Sequence, residues 1–378
     1  MASKMSAREE VLAQMSMDFT DAVVPTDLGG SMRRFRRRMP VAKDASSLSN
    51  LIELWESVPK YCMEAHKQAA LRSPEGLLKS VTRTFEHKGH QYTMHLHPAR
   101  VQVEGTDDFV EYFPTPADQV VEHLLIKLLA AENGGAMQGT RDVFGCMVRF
   151  RYSELFELLE AAGCERNYSQ IKHSLEVLAG VRLTIKTDRK NSHSEAILAS
   201  LTLPDSYNGY CVARFHTLIA GAILANEYRQ FPLDLWLSLR SGTARWALVQ
   251  MCQTTNLGPE RPFETTVSEA EAAGVTSAAR FHDRLKAMHR AVEELQRHGV
   301  VEPGDGVRVE PVKDPRTNKR IDCRFQLVPT RRITDHVIVA NLQAKRLREE
   351  GGAAVPSNPG LVSTGNAAAT PRRVALPR

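Results

Sequence analysis

Two histidines and a tyrosine are of the residue types that a metal-assisted attack on a phosphate uses. His95 and His97 flank Leu96 in a segment that alternates as a strand does, and Tyr168 precedes Lys172 by one helical turn. A divalent ion held by two imidazoles polarises a phosphate, which a tyrosine hydroxyl can then attack. This interpretation predicts DNA nicking with a covalent 5′-adduct, which the substitution Tyr168→Phe would abolish.

The same residues have a plainer interpretation, which we favour. The strings His-hydrophobic-His and Tyr-x-x-x-Lys resemble motifs of rolling-circle nicking enzymes, but each is short and frequent by chance. Tyr168 falls at the start of a predicted recognition helix, where an aromatic ring usually packs the turn. His87 and His90 are close enough in sequence to join a metal site, yet exposed strand histidines are commoner. We therefore predict no catalytic residue and no bound metal.

The glycines of the chain do not complete a phosphate-binding loop. Gly134 and Gly139-Thr140 lack the lysine that would contact the β- and γ-phosphates of a nucleotide. We predict no ATPase, no cofactor and no enzymatic activity. ATP-driven unwinding of DNA would then require another protein.

Positive charge is concentrated in two segments of the chain. The formal net charge is +5 at pH 7, yet residues 33–38 contain five arginines and no acid. Residues 313–332 contain seven cationic side chains against two aspartates. Such segments attract polyanions, because neutralised phosphates release condensed counterions. A solvated basic tail and loop would have the same composition, so charge alone does not establish nucleic-acid binding.

Length and composition indicate a soluble protein with two ordinary domains and tails. The 378 residues are 42% hydrophobic and 25% charged, as in typical globular proteins. Apolar runs are too short to span a bilayer, and the N-terminus lacks the apolar core of a signal peptide. We therefore expect a cytoplasmic protein with no membrane contact. The six cysteines form no Cys-x-x-Cys pair, which argues against a zinc ribbon or a disulfide framework.

One order of elements occurs twice between residues 115 and 330. In the first copy, Thr115-Pro116 opens a helix over 115–132. The elements predicted after it are a strand at 147–150, a helix from Ser153 to Gly163, a helix over 168–178 and a hairpin over 181–203. Helix, strand, two helices and a hairpin are the elements of a winged helix-turn-helix.

The second copy repeats this order. The predicted elements are a helix from Ser241 or Thr243, a helix from Ser268 to Gly274, a helix over 277–297 and a basic hairpin that ends near Val328. The short helix of each copy opens on Ser-Glu and closes on Glu-Ala-Ala-Gly, where glycine can adopt the left-handed turn. Two such units in one chain are difficult to explain by chance.

We therefore predict an α+β fold with two tandem winged helix-turn-helix domains, a flexible basic N-terminal region and a disordered C-terminal tail. We expect an amphipathic helix over 48–72, a strand over 91–104, and a core of its own for each domain. An irregular α+β domain is the alternative. The predicted boundaries are 1–47 for the basic arm, 48–114 for the N-terminal helix and strand region, 115–208 and 209–335 for the two winged-helix domains, and 350–378 for the tail.

In the second domain, the third helix is apolar on one side and cationic on the other. Its apolar stripe, which should pack inward, consists of Phe281, Leu285, Met288, Val292 and Leu295. Arginine can contact guanine O6 and N7, and hydroxyls at the start of a helix suit phosphate oxygens. The predicted DNA contacts of this helix and of the basic hairpin are Thr276, Ser277, Arg280, Arg284, Lys286, Arg290, Arg316, Lys319 and Arg320.

The corresponding surface of the first domain is less basic. Its third helix should pack Ile171, Leu175 and Leu178 inward. We expect this domain to contribute positioning or dimerisation more than base readout. Its predicted DNA contacts are Arg166, Ser169, Gln170, Lys172, His173, Arg182, Lys186, Arg189 and Lys190.

Two stretches of the chain carry a recognisable pattern. Residues 167–178 read NYSQIKHSLEVL and residues 231–245 read FPLDLWLSLRSGTAR. The stretch 167–178 resembles the first recognition helix of iteron-binding plasmid replication initiators of the TrfA and RepA type. The stretch 231–245 is similar to the segment that enters their second winged-helix domain. The resemblance covers roughly residues 115–330 and includes no catalytic string.

This resemblance implies a role in plasmid replication initiation. It implies binding to double-stranded DNA at direct repeats (iterons) of the origin, local duplex opening, and recruitment of the host replication initiator and replicative helicase. It also implies a homodimer–monomer equilibrium that takes part in copy-number control. A winged-helix transcriptional repressor would use the same fold, but would bind a palindrome over a promoter instead of direct repeats.

Overall fold

Short helices and small antiparallel sheets alternate along the chain. The computed structural model describes residues 48–103, 105–130, 135–139, 144–187, 192–204, 209–276 and 278–351. These residues form a mixed α/β fold. The predicted basic arm over 1–47, and the predicted tail beyond residue 351, lie outside the described residues.

The described part of the N-terminal region begins with a strand. Its elements are β1 (Leu48–Ile52), α1 (Glu53–Ser57), α2 (Ala65–Leu71), β2 (Val81–His87), β3 (His90–His97), β4 (Ala99–Gln102) and β5 (Phe109–Tyr112). The predicted helix over 48–72 is therefore wrong. Four consecutive residues of β1 are buried, of which only Leu51 and Ile52 are apolar, and so short a stretch does not distinguish a buried strand from a helix. The predicted strand over 91–104 is confirmed as β3 and β4.

The first module contains the predicted elements but pairs them differently. They are α3 (Pro116–Ala130), β6 (Gly135–Gly139), β7 (Phe144–Arg151), α4 (Tyr152–Ala161), α5 (Tyr168–Gly180), β8 (Arg182–Thr187), β9 (Ser192–Ala196), β10 (Leu198–Thr202) and β11 (Tyr210–Phe215). The hairpin β8–β9 joins the N-terminal region in a sheet of order β2-β3-β8-β9, and a second sheet has the order β10-β11-β7-β6. Because β11 pairs with β7 and β10, this module extends past the expected boundary at residue 208.

Capping hydrogen bonds explain where α4 and α5 begin. Asn167 Oδ1 accepts the backbone N–H of Gln170 at 2.9 Å, and Gln170 Oε1 accepts the Asn167 N–H at 3.1 Å. At α4, the Glu154 carboxylate accepts the Arg151 N–H at 2.7 Å. Ser153, the expected cap, lies inside α4. The helix begins earlier because the Glu154 carboxylate accepts the backbone N–H of Arg151, the N-cap residue.

A buried ion pair attaches the N-terminal region to α3. Lys60 Nζ lies 3.6 Å from Glu122 Oε2, and both side chains are buried. The Trp55 indole N–H donates to Glu122 Oε1 at 2.7 Å, and the Tyr61 hydroxyl donates to Oε2 at 2.7 Å. Removing one charged partner would leave the other charge buried and unpaired, so these contacts join the two parts firmly.

The segment 217–238 joins the two modules. It forms α6 (Thr217–Leu224), β12 (Tyr228–Pro232) and α7 (Leu233–Ser238), and β12 pairs with β1. Trp236 is buried, and the Arg245 guanidinium lies 4.7 Å from its ring centroid. Arg245 Nε also donates to the Leu239 carbonyl at 2.7 Å. The stretch 231–245 that carried the family resemblance therefore has a structural role at this joint.

The second module shows the predicted order of elements. They are α8 (Gly242–Gln253), β13 (Phe263–Thr266), α9 (Val267–Ala272), α10 (Phe281–Arg297), β14 (Val307–Lys313) and β15 (Arg320–Leu327). The sheet order is β13-β15-β14, and both α8 and α9 pack against α10. Thr266 caps α9 in place of Ser268: Thr266 Oγ1 accepts the Glu269 N–H at 3.1 Å, and Glu269 Oε2 accepts the Thr266 N–H at 3.0 Å.

A long C-terminal helix, which the sequence patterns did not indicate, returns to the joint. This helix, α11 (Arg331–Gly351), packs against β12. Its Asn341 side chain donates to the carbonyls of Thr254 at 3.1 Å and Thr255 at 3.0 Å, which follow α8. Asn341 also accepts from the Arg229 guanidinium of β12. These contacts hold α11 against both the second module and the segment 217–238.

The buried apolar side chains form one continuous cluster that extends from Leu51 to Leu347. The expectation of a separate core for each domain is therefore wrong. α3 packs against β1 and α8 packs against β12, so the two-stranded β1–β12 sheet connects the modules. The elements of each module keep their own sheets, but the apolar interior passes between them.

Candidate nucleic-acid interface

The apolar stripe of α10 faces the interior of the second module. Met288, Val292 and Leu295 are buried. Phe281 and Leu285 are half-buried and packed against the same cluster. The predicted orientation of this helix is confirmed, and its opposite side faces solvent.

The solvent-facing side of α10 is mainly cationic. Arg280 is the N-cap residue, so its side chain projects from the start of the helix. Seventeen residues span about 25 Å of helix, and a major groove about 12 Å wide admits a helix. The exposed charged side chains are four cations and two carboxylates: Arg280, Lys286, Arg290, Arg297, Asp283 and Glu293.

Arg284, which the sequence placed among the DNA contacts, is engaged in internal contacts. Its Nη1 lies 3.0 Å from Glu271 Oε1. The same group donates to the carbonyls of Ala278 at 3.1 Å and Ala279 at 3.2 Å. These contacts connect the start of α10 to the end of α9. Arg284 thus orders the turn between the two helices.

Thr276 is buried in that turn and lines an open groove of about 840 Å³ beside the N-terminus of α8. The groove is also lined by Arg240, Arg290 and Arg297. Thr276 Oγ1 has no hydrogen-bond partner among the described residues. Glu294 lines the groove as well, and its carboxylate accepts the backbone N–H of Ser241 at 3.1 Å. The groove extends the cationic side of α10 toward α8.

The turn between β14 and β15 presents three exposed cations, Arg316, Lys319 and Arg320. Asp314 shapes this turn: its carboxylate accepts the backbone N–H of Arg316 at 2.7 Å, and its own N–H donates to the Lys319 carbonyl at 2.9 Å. The Arg320 guanidinium lies 5.4 Å from the ring centroid of Phe281. The hairpin and the start of α10 therefore belong to one surface.

The predicted contacts on α5 have more internal partners than those on α10. Arg166, which precedes the N-cap residue of α5, donates from Nη1 to Ser174 Oγ at 2.6 Å, so this guanidinium is turned onto the helix that follows it. The His173 ring meets Tyr112 of β5 edge-on at 4.6 Å. The Gln170 side chain takes part in the helix cap. These three side chains are engaged in contacts within the protein and are therefore less available to DNA than those on α10.

The two remaining contacts on α5 lie closer to solvent. Ser169 is exposed at the first turn. Lys172 Nζ lies 3.9 Å from Glu176 Oε1, a separation that leaves the ammonium largely hydrated. Positive charge available for DNA is thus sparse on α5, in keeping with the smaller role expected for this module.

Arg182 and Lys186 lie on one exposed face of the β2-β3-β8-β9 sheet. In the register of β8 with β3, Arg182 stands opposite His97, and Thr184 stands opposite His95. The N-terminal region therefore supplies half of the sheet to which the predicted wing belongs. Sequence reasoning missed this, because the paired strands are far apart in the chain and no local pattern reports their pairing.

The residues of the nicking motif have other partners in the structure. His95 Nδ1 and His97 Nδ1 contact a threonine and a serine hydroxyl at 2.9 Å and 2.7 Å. The Tyr168 ring packs against Tyr152 with 4.2 Å between centroids, as predicted for an aromatic residue in this turn. Among the described residues, neither histidine belongs to a group of three or more potential metal ligands.

Three predicted DNA contacts, Ser277, Arg189 and Lys190, lie outside the described residues. The five arginines of residues 33–38 do so as well. The structure brings the predicted contacts of α10 and of the β14–β15 hairpin together at one surface, and Arg182 and Lys186 together on the β2-β3-β8-β9 sheet.

Comparison with solved structures gives matches at low identity. The chain is similar to a crystal structure of domains 2 and 3 of RctB, with a TM-score of 0.41 and 9% identity over 73% of this chain and 97% of that one. A second crystal structure of RctB domains 2–3 gives a TM-score of 0.35 and 10% identity over 71% of this chain and 98% of that one. No protein-family model and no curated protein matches the chain.

A helix that spans a bilayer must be both long and apolar. Within the described ranges, every helix is too short or too polar to cross a membrane.

Proposed function

We propose that the protein binds double-stranded DNA through a winged helix-turn-helix formed by its second module. In this proposal α10 enters the major groove, and the β14–β15 hairpin contacts the neighbouring phosphates. The observation that carries the proposal is the two-sided character of α10. One side is anchored by Met288, Val292 and Leu295, while the opposite side is exposed and cationic beside an exposed basic hairpin.

The arrangement of elements supports this proposal. A helix, a strand, two helices and a hairpin follow one another from α8 to β15, and the first strand pairs beside the last. Recognition helices of this class place their N-terminal residues against base edges. Arg280 and Lys286 occupy that part of α10, and the hairpin cations occupy the place of a wing.

We further propose that the DNA target is a set of direct repeats at a plasmid origin and that the protein acts there as a replication initiator. The support for this step is the sequence resemblance of residues 167–178 and 231–245. In the same proposal the protein opens the duplex locally, recruits the host replication initiator and helicase, and exchanges between dimer and monomer. Its role is binding and recruitment, without catalysis.

Footprinting on DNA flanking the gene tests the proposal. We expect protection of several short sites of one orientation at a regular spacing, since direct repeats present the same face of the duplex to each bound copy. A single protected palindrome over a promoter would identify a repressor instead. Uniform protection without preferred sites, at physiological salt, would contradict sequence-specific binding.

A nicking assay on the same DNA separates binding from catalysis. We expect no covalent 5′-adduct with Mg²⁺ or Mn²⁺, and no difference between the wild-type chain and Tyr168→Phe. An adduct that disappears in Tyr168→Phe would establish the nicking function instead.

A further inference from the structure

Two histidines and a glutamate converge where β9 meets the start of α6. His193 Nε2 lies 3.5 Å from Glu195 Oε2, and His216 Nδ1 lies 3.8 Å from the same oxygen. One ligand atom from each residue lies within 4.8 Å of the others, and this is the single such group of histidine, cysteine, aspartate and glutamate among the described residues. The group lies apart from α10 in the chain and is not used by the proposed DNA contacts.

Two of the three separations are close to those of a four-coordinate zinc site. A tetrahedral ion bound at about 2.0–2.2 Å to nitrogen and oxygen keeps neighbouring ligand atoms roughly 3.3–3.6 Å apart. The two ion-pair distances, 3.5 Å and 3.8 Å, are within a few tenths of an ångström of this range. Imidazole and carboxylate are also the ligands that zinc takes beside thiolate. The three ligand atoms lie within 4.8 Å of one another, so the two imidazoles would approach each other when an ion binds.

The burial of the three side chains suits an ion that enters from solvent. His193 is 25% exposed and Glu195 is 18% exposed, so an ion can reach them from solvent. His216 is buried, and its ring lies 4.8 Å from the Trp55 ring, which holds it in place. The Thr217 hydroxyl, 2.6 Å from His193 Nε2, supplies a further oxygen next to the group.

An ion would share one of the present hydrogen-bond acceptors and displace a hydrogen bond at another. Glu195 Oε2 accepts the Thr217 N–H at 2.7 Å, but a carboxylate oxygen can accept a hydrogen bond and bind an ion together. His216 Nδ1 accepts the Leu218 N–H at 3.1 Å, so this nitrogen carries no proton. The ion would take the place of that long hydrogen bond. His216 Nε2 is buried and has no partner among the described residues.

We propose that His193, Glu195 and His216 bind one Zn²⁺, with the fourth position taken by water or by the Thr217 hydroxyl. The chain passes from the β2-β3-β8-β9 sheet to the β10-β11-β7-β6 sheet between β9 and β10. The ion would bridge β9 to the start of α6 at this crossing. Its role is to fasten the two sheets of the first module together. The proposal does not depend on DNA binding.

Metal titration of the EDTA-stripped full chain tests the proposal. We expect one equivalent of Zn²⁺ to bind and to raise the melting temperature. Co²⁺ in the same site should give the strong visible absorption of a four-coordinate ion, without the near-ultraviolet thiolate band that a cysteine site would add. His193→Ala and Glu195→Gln should each weaken binding on the order of 100-fold or more, since loss of an outer partner alone costs about 10–100-fold.

The matched control is the double variant His95→Ala/His97→Ala, which removes two histidines from β3, a strand of the same sheet as β9. This variant should bind Zn²⁺ and Co²⁺ as the wild-type chain does. His216→Ala is less informative, because His216 is fully buried and the variant could unfold. The proposal is overturned if the stripped chain binds no Zn²⁺ at micromolar concentration. Unchanged binding in His193→Ala and Glu195→Gln, or loss of binding in the control, would overturn it equally.

Discussion

At the scale of single residues, the cations of α10 and of the hairpin should contribute to DNA binding in different ways. Arg290→Ala, like Arg280→Ala, should relax sequence preference and cost about 1–3 kcal/mol on the preferred site if the guanidinium contacts a base. Lys319→Ala should weaken all sequences alike and reduce the salt slope by about one unit, since it removes a phosphate contact. Fluorescence anisotropy with preferred and scrambled duplexes at several salt concentrations measures both effects.

Arg331→Ala is the control for that comparison, because Arg331 is a fully solvated arginine at the start of α11 and pairs only loosely with Asp335 at 3.7 Å. It should bind DNA as the wild-type chain does. If Arg290→Ala and Lys319→Ala are indistinguishable from this control, α10 and the hairpin do not contact DNA.

Also at the residue scale, the buried Glu53 makes stability depend on acid pH. Burial alone would raise the pKa of its carboxyl, but Arg229 at 2.7 Å and Lys88 at 2.6 Å lower this pKa to about 2. A carboxyl whose pKa is lower in the folded chain stabilises it above its ordinary pKa near 4.5. That stabilisation, about 3 kcal/mol at neutral pH, should be lost as the pH falls from about 4.5 to about 2.

Urea unfolding at a series of pH values measures this effect. Glu53→Gln should unfold more easily at pH 7, because it leaves Arg229 buried without its anion. Its free energy of unfolding should also vary less with pH between about 4.5 and 2. Asp335→Asn, which removes one partner of an exposed ion pair, should change neither quantity. Equal pH profiles for Glu53→Gln and the wild-type chain would contradict the assignment.

At the scale of elements, the turn between α9 and α10 is held against the N-terminal region by Gly274. Its φ is +75°, and an added Cβ would lie 2.3 Å from Cys62 Cβ. Gly274→Ala should therefore force the turn and the segment after α1 apart and lower the melting temperature sharply. Gly299→Ala is the matched control: its φ is +67°, but nothing lies within 4 Å of its added Cβ. It should lose only about 1 kcal/mol of stability for the left-handed backbone.

If the two variants lose equal stability in thermal unfolding, the contact with Cys62 contributes nothing and only the backbone conformation matters. If Gly274→Ala loses much more, the N-terminal region supports the turn between α9 and α10 directly. That support is a feature of the fold which no motif within residues 242–327 suggests.

Elements with local signals were predictable, and those made by distant pairing were not. The spacing of Phe281, Leu285 and Met288 identifies one side of α10, because helical period is a property of neighbouring residues. The sequence predicts the N-cap of α9 at Ser268, two residues late, because Ser268 and Thr266 both suit a cap. Only the hydrogen bond from the Thr266 N–H to the Glu269 carboxylate distinguishes them. β1 pairs with β12, which follows the first module in the chain. The residues of β1 alone therefore do not predict this pairing.

The residues of the candidate interface likewise divide into those with a local sequence signal and those whose contacts depend on the folded structure. The exposed cations of α10 and the hairpin were identified from helical spacing and from charge density. The internal role of Arg284 was not, because its contacts with Glu271 and with the Ala278 carbonyl depend on the geometry of the turn. The grouping of His193, Glu195 and His216 was missed for the same reason, since His216 follows β11 and approaches the other two only when the sheets form.

At the scale of the whole molecule, the continuous core means that the two modules are joined by packing and not by a free linker. β1 and β12 lie between α3 of the first module and α8 of the second, and α11 packs onto β12 as well. The first module and the DNA-binding surface proposed for the second module, connected in this way, would keep a fixed spacing. A bound site should therefore have a constant length, because a packed joint does not vary its span as a flexible linker does.

Because the β1–β12 sheet joins the two modules, we expect one substitution in β1 to destabilise both. Leu51 is fully buried in the β1–β12 sheet, and Leu51→Ala should cost about 2–5 kcal/mol. Hydrogen exchange should then show the loss of protection in β11 of the first module and β15 of the second by similar amounts, since both open in one cooperative transition. Ile321→Ala, which truncates an exposed side chain on β15, should change neither strand measurably. Loss of protection confined to β11 would instead mean that the modules unfold independently and that the shared core does not couple them.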